Sequence, residues 1–313
     1  MRHLMRRRLV GVIALTAMIV FAFQSLGTTP VAATSPGMNG RIFFERLTET
    51  SHGIYSIDAD GTGIQRIVAR AGQPAWSPNG RTLAFVRDGT ETAIWLMNAD
   101  GSGLRKLTNP TRHKLDGDPT WSPHGTRIAF SRGSGDGLVN DIRIVNADGT
   151  GGRKLTTDGN SLEPAWAPSG RRIAFTRTGT GFTYPLRVWV MKANGAAPHQ
   201  VSPNRVSAYG ASWSPDGRSI AFGTWRDQGP QHEIVADIWV MRSNGTALRR
   251  LTSGRHEDAS PSWSPDGRVI AFTSDRSGSI KIWTIGAGGR HLRQVTWLDP
   301  STDVSPSWRT IPR

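Results

Sequence analysis

The sequence predicts an all-β chain whose sheets close into a ring. The expected architecture is a six-bladed β-propeller of four-stranded blades, closed by pairing the C-terminal strand with the N-terminal blade. Three observations carry this. A phrase built on tryptophan recurs as PAWSPNGR, PTWSPHGT, PAWAPSGR, ASWSPDGR, PSWSPDGR and PSWRT, placing Trp76, Trp121, Trp166, Trp213, Trp263 and Trp308 at intervals of 45, 45, 47, 50 and 45 residues. Repeats of that length that read as strands and turns mark a propeller or an array. Between the tryptophans lie short alternating apolar runs bounded by Asn-Gly or Asp-Gly, with no long helical periodicity after residue 33. Finally, the two ends of the repeat region supply complementary parts of a single unit.

In chain order, the first element is a leader. Arg2, Arg6, Arg7 and Arg8 precede a 15-residue apolar run from Leu9 to Phe23, followed by PVAAT. A charged segment, an apolar segment of this length and a small-residue stretch are the parts of an export signal with cleavage after Ala33. The run is short for a membrane span of about 20 residues. The expectation is export, either with residues 1–33 cleaved or with residues 9–26 kept as an N-terminal anchor. Loss of residues 1–33 lowers the net charge from +14 to +10, since 34 basic residues then face 24 acidic ones. The basic residues are spread thinly over strands and turns, so nucleic-acid binding, which needs a clustered patch, is not expected. Cysteine is absent, which excludes disulfides and a lipid-modified N-terminus.

A short linker, 34–38, leads into the ring, 39–310, with 311–313 as a tail. One repeat, residues 261–297, shows the logic. Ser262 to Ser264 reads as a first strand ending beside the tryptophan. Pro265-Asp266-Gly267 is a tight turn in which Pro presets φ, Asp accepts from the following amides and Gly supplies positive φ. Arg268 to Ser274, Lys281 to Ile285 and Arg293 to Thr296 read as the second, third and fourth strands. Upstream third strands AIWLM, DIRIV, RVWVM and DIWVM run into NADG, NADG, KANG and RSNG, strong hairpin signals. The ring begins with NGRIFFER, a second strand without a first, and ends with PSWRT, a first strand without a second. Joined, they make the sixth blade and remove an open sheet edge.

WSPDGR followed by IAFTSDR, an IWVM strand and an NG or DG turn resembles the propeller repeat of the TolB family, over residues 39–310. That resemblance implies a binding platform in the cell envelope, with a peptidoglycan-associated lipoprotein among the partners. Members of the family carry a separate domain ahead of the ring; here about six residues lie between Ala33 and the first blade. Similar repeats occur beside peptidase domains and in oligosaccharide lyases. A serine peptidase is excluded, because no G-x-S-x-G elbow occurs in the sequence.

In such blades the second-to-third and fourth-to-first connections share one face, the loop face, and the near-invariant turns share the other. Binding is expected where loops vary on a rigid scaffold. Gln73, Asp118, Glu163, Gly210, Ser260 and Ser305, each one residue before P-x-W or its equivalent, are expected to ring the channel mouth. Arg46, Arg87, Arg132 and Arg177 close second strands, with Thr224 and Ser274 at the same place in the last two blades. Carboxylates and guanidiniums around a funnel suit a charged peptide or an anionic sugar. Inter-blade ion pairing is the structural expectation for most of these arginines. Longer loops at 133–140, 178–185 and 224–236 carry Phe182, Tyr184 and Trp225, joined by Tyr209; such rings either meet a partner or pack under their own loops. The six motif tryptophans are expected to wedge between blades.

A metal is not expected. His232, His256, Glu257 and Asp258 are the nearest approach to a ligand set, and His113 with Asp116 is a weaker one; neither has a fixed ligand spacing. No cofactor is expected. The function expected is a non-enzymatic protein-binding or scaffold module for an envelope protein or peptide, with a polysaccharide as the other ligand class. The alternatives are a lyase or hydrolase of acidic oligosaccharides working at the channel mouth, and a membrane-anchored sensory ectodomain.

Overall fold

Alternating apolar residues and Gly-containing turns build 24 strands, and no helix, in the described part of the chain. The computed structural model describes residues 37–88, 92–134, 139–179, 185–227, 234–297 and 300–311. Blade one contains β1 (Met38–Leu47), β2 (His52–Ile57) and β3 (Gln65–Ala69). Blade two is β4 (Ala71–Trp76), β5 (Thr82–Arg87), β6 (Ala93–Asn98) and β7 (Arg105–Lys106). Blade three is β8 (Lys114–Trp121), β9 (Arg127–Ser134), β10 (Asn140–Asn146) and β11 (Arg153–Lys154). Blade four is β12 (Ser161–Trp166), β13 (Arg172–Arg177), β14 (Arg187–Lys192) and β15 (His199–Gln200). Blade five is β16 (Ser207–Trp213), β17 (Ser219–Asp227), β18 (Ile234–Arg242) and β19 (Arg249–Arg250). Blade six is β20 (Ala259–Trp263), β21 (Val269–Ser274), β22 (Lys281–Gly286) and β23 (Arg293–Gln294). The last strand, β24 (Thr302–Ile311), pairs antiparallel with β1 and completes blade one, in the order β24-β1-β2-β3.

The result is the expected six-bladed β-propeller, closed by its C-terminal strand. First strands contact one another around the whole axis: β24 to β4, β4 to β8, β8 to β12, β12 to β16, β16 to β20 and β20 to β24. Fourth strands are shorter than the sequence pattern suggests, two residues in five blades, because only one side of this outer strand has a ladder partner.

The first-to-second turn behaves as its residues require. In blade six, Asp266 Oδ1 accepts from Ser264 Oγ (2.6 Å) and the Arg268 amide (3.0 Å), and Gly267 has φ 73°. Six apolar clusters lie between blades, and each contains one motif tryptophan. Trp213, for instance, packs with Ala165 and Val188 of blade four, and Trp308 packs with Ile282 of blade six and Ile42 of blade one. All six indoles are at most 5% exposed. Three also donate to the preceding blade: Trp121 Nε1 to Ala75 O (3.0 Å), Trp213 to Ala165 O (3.1 Å) and Trp308 to Ser262 O (3.2 Å).

Candidate functional site

The six residues that ring the channel share a backbone feature. Gln73, Asp118, Glu163, Ser260 and Ser305 have φ between 50° and 63°, and Gly210 has φ 63°. Each sits where first-strand pairing slips, as between Gly72 and Ala75, Gly117 and Thr120, or Leu162 and Ala165. These are β-bulges centred on a left-handed residue. Five of the six are followed by proline (Pro74, Pro119, Pro164, Pro261 and Pro306), which has no amide to give to the ladder. Holding a side-chain-bearing residue left-handed costs about 1–2 kcal/mol, so its persistence needs a compensating interaction.

Hydrogen bonds to the preceding blade provide it. The Gln73 amide donates to Glu45 Oε2 of blade one (3.2 Å), and the Asp118 amide donates to Gln73 Oε1 of blade two (2.8 Å). The Glu163 amide donates to Ser131 Oγ of blade three (3.0 Å), whose hydroxyl donates to Asp118 Oδ2 (2.9 Å). The Gly210 amide donates to Glu163 Oε2 of blade four (2.9 Å), which also accepts from Thr176 Oγ1 (2.6 Å). A belt thus runs from blade one to blade five around the channel wall. Glu45, Ser131 and Thr176 all occupy the place between Phe and Arg in a second strand, a position the sequence reading passed over.

Burial shapes the charge of this belt. Asp118 and Glu163 are 7% and 8% exposed, so their carboxyls face the next blade rather than open solvent. Burial pushes both up from the ordinary carboxylate range, and the Asp118 charge raises Glu163 further against the bonds from Thr176 and Gly210. Glu45 is pushed up to about 7, chiefly by burial, with the Gln73 amide opposing and the Asp88 charge adding. A Cβ on Gly72 would overlap the Glu45 carboxylate, which explains the glycine there.

Two of the second-strand arginines, Arg46 and Arg132, pair within their own blades, not between blades as expected. Arg46 grips Asp303 through Nε to Oδ1 (2.6 Å) and NH2 to Oδ2 (2.7 Å), and Arg132 grips Asp116 likewise. Arg177 bonds Asp158 in the connection that leads into blade four, and Arg276, two residues past the end of β21, bonds Asp258. Asp116, Asp258 and Asp303 each stand two residues before the left-handed residue, a D-x-[DS]-P pattern legible in the repeats but not singled out. The guanidiniums also lie over rings: Arg46 over Phe44 and Tyr55, Arg177 over Phe175 and Trp189, Arg276 over Phe272 and Trp283. Arg87 differs. It stacks on Trp95 at 5.3 Å and has no carboxylate partner among the described residues.

Inter-blade registry belongs instead to fourth-strand arginines. Arg105, Arg153, Arg249 and Arg293 reach carbonyls in the next blade's third-to-fourth turn, at Ala147, Asn194, Ala287 and Asp60.

The remaining candidates scatter. Tyr209 is half-buried on the innermost strand of blade five and lies flat over Gly223, where a Cβ would come within 2.9 Å of its ring. Trp225 is half-buried opposite Ser207 on the loop side of β17. Phe182, Tyr184 and His232 lie outside the described residues. Asp258 is committed to Arg276, while His256 Nδ1 stands 3.6 Å from Asp275, which also accepts the Glu257 amide (2.9 Å). His113 is a left-handed residue ahead of β8, and Asp116 is taken by Arg132. Among the described residues no three His, Cys, Asp or Glu side chains group as a metal site.

The repeat geometry has a counterpart among known families. The profile of the TolB beta propeller domain matches residues 29–169 and 231–311, more than half of the chain. The chain belongs to the TolB β-propeller family. No curated protein matches it. Among solved structures it is similar to TolB from Acinetobacter baumannii, at 18% identity and TM-score 0.73, covering 88% of this chain and 67% of that one. A protein assigned as TolB from Agrobacterium tumefaciens is 17% identical with TM-score 0.64, over 87% of this chain and 99% of that one. Hydrazine synthase of Kuenenia stuttgartiensis is also similar, at 16% identity and TM-score 0.69, over 89% of this chain and 48% of that one. At these identities the likeness is one of fold; one TolB-type ring serves in proteins of different activity.

Proposed function

We propose that this TolB-type ring is an exported, non-enzymatic binding module of the cell envelope, with an envelope protein or peptide as its partner on the loop face. The observation that carries this reading is the division of polar groups. Carboxyls along the channel wall are tied to neighbouring amides or arginines, an arrangement that holds blades rather than reacts. What the loop face offers instead is contact chemistry. Arg87 lies unpaired by carboxylate among the described residues, Trp225 is half-buried, and Leu115 and Val139 are 36% and 47% exposed. Arginine, aromatic and aliphatic side chains spread around the rim of a rigid frame are the residue types of protein-binding hot spots. The TolB family resemblance supports the same compartment and the same class of partner, a peptidoglycan-associated lipoprotein included.

Immobilised protein should capture a specific envelope component from detergent extract. Joint replacement of Arg87 and Trp225 by alanine should weaken that capture about ten-fold or more while the ring stays folded. Capture that survives the double replacement would locate binding elsewhere. A mature N-terminus near Thr34 in the soluble envelope fraction is the expected result for export, and a cytosolic full-length chain would contradict it.

A further inference from the structure

Charge gathers on the opposite, turn-bearing face, in a pattern independent of the loop-face reading above. Basic residues that stand a blade apart in the sequence meet there once the ring closes. Blades four to six present Arg171, Lys192, Arg218, Arg242, Arg268 and Arg290 at their first-to-second and third-to-fourth turns, all exposed. Among the described residues no side-chain hydrogen bond, ion pair or ring contact occupies any of the six. The acids beside them are Asp216 and Asp266, each already accepting from a serine hydroxyl and from the amide two residues on. In blades one to three the third-to-fourth turns carry Asp60, Asp100 and Asp148, where blades four to six have Asn194, Asn244 and Gly288. Unpaired positive charge is therefore concentrated on one half of this face.

Two further features meet that half at blade six. The chain enters the ring there: the Gly37 amide donates to Pro265 O (3.3 Å), and the Asp266 amide donates to Asn39 Oδ1 (3.1 Å). The apolar run 9–23 ends so close to Gly37 in sequence that the chain between them spans at most about 50 Å. Held in a bilayer, that run would turn this face, rather than the loop face, toward the lipid. At the joint with blade one, Trp297 is 53% exposed and its indole lies against Gly61, where a Cβ would come within 3.3 Å of Nε1. Leu292, beside Arg293, and Ile64, in the turn whose Asp60 O Arg293 binds, are 44% and 45% exposed. We propose that the turn face of blades four to six docks on a bilayer containing anionic phospholipid. Its cations are drawn to the negative surface potential, and tryptophan and aliphatic side chains at its edge suit the headgroup level. An acidic protein or a nucleic acid would match the charge but would give neither the exposed indole nor the point of chain entry a part.

The test uses residues 34–313, which contain every strand of the closed ring, so that the apolar run plays no part. The protein is sedimented with vesicles of phosphatidylcholine alone or of phosphatidylcholine mixed with phosphatidylglycerol. Binding should require phosphatidylglycerol and weaken as salt is raised. Arg218→Gln with Arg242→Gln should weaken it about 25-fold at low salt, at about five-fold per cation. Trp297→Ala should weaken it several-fold by removing the interfacial ring. Arg112→Gln with Arg205→Gln, a pair of exposed loop-face arginines, should leave it unchanged. Equal binding to the two vesicle types, equal effects of the two arginine pairs, or indifference to Trp297→Ala would overturn the proposal. So would tighter binding to polyglutamate or duplex DNA than to the anionic vesicles at equal charge, which would mark a site for an anionic polymer.

Discussion

At the scale of single residues, the ring is held by groups that look expensive. Five side-chain-bearing residues are left-handed at the channel wall, and three carboxyls of the belt are withdrawn from solvent. The two costs explain each other: the left-handed turn aims an amide at the previous blade, and a buried carboxyl, hydroxyl or amide oxygen receives it. The acids leave a signature in pH. Glu163 is pushed up to about 8 in the folded chain from an ordinary value of 4.5, by burial and then by Asp118. A raised folded value means that its contribution to stability is complete below the ordinary glutamate range and is lost as pH rises through about 8. Asp118 and Glu45 are shifted the same way, so all three push in one direction. The melting temperature should therefore fall between pH 5 and pH 8.5. Glu163→Gln keeps an acceptor for the Gly210 amide without the charge, so it should flatten that slope and melt above the parent protein at pH 8.5. A parallel pair of curves in differential scanning fluorimetry would show that Glu163 is not the buried acid responsible.

At the scale of elements, the blade is a hairpin stack whose innermost strand is locked by an indole behind it and, in blades one and three, by an ion pair ahead of it. The closing strand shows both: Trp308 wedges against blade six while Asp303, on the same strand, is held by Arg46 of β1. Because both charges are buried, removing one leaves the other stranded. Asp303→Ala should cost about 3–5 kcal/mol in chemical denaturation, whereas the double change Arg46→Met with Asp303→Leu should lie far closer to the parent. Equal losses in both would mean that packing, not charge, holds the joint. The strands themselves were legible, because Trp, Pro-Asp-Gly and Asn-Gly carry their structure locally. The pairing of the arginines was not. A guanidinium at the end of a second strand reaches several partners, and only the bulge, which rotates Asp116, Asp258 and Asp303 into reach, decides for its own blade. The belt was hidden for a similar reason: Glu45, Val86, Ser131, Thr176, Gly223 and Thr273 share a position but not a residue type, so no repeat motif draws the eye to it.

At the scale of the whole molecule, the ring makes the position of the chain ends arbitrary. Six tryptophan clusters of like composition join six blades, and the joint that contains the closure is built like the other five. Blade one differs in its longer fourth strand, β3, and in that its first strand arrives from the far end of the sequence, with Ile311 paired to Met38 where other blades turn. Stability in such an array is the sum of blade and interface terms, and neither depends on where the polymer is cut. Joining Ile311 to Met38 through Asn-Gly, a two-residue turn suited to paired strand ends, would convert blade one into a blade like the rest. New termini placed after Trp297, past the end of β23, would then open the ring elsewhere. The permuted chain should unfold in one transition, with a melting point within about 4 °C of the parent, the most that 1 kcal/mol produces in a large single domain. A permuted chain that loses β-sheet circular dichroism or its single transition would mean that closure through β24 does more than supply a missing strand. It would then nucleate the ring, and the ends of this sequence would be part of how it folds.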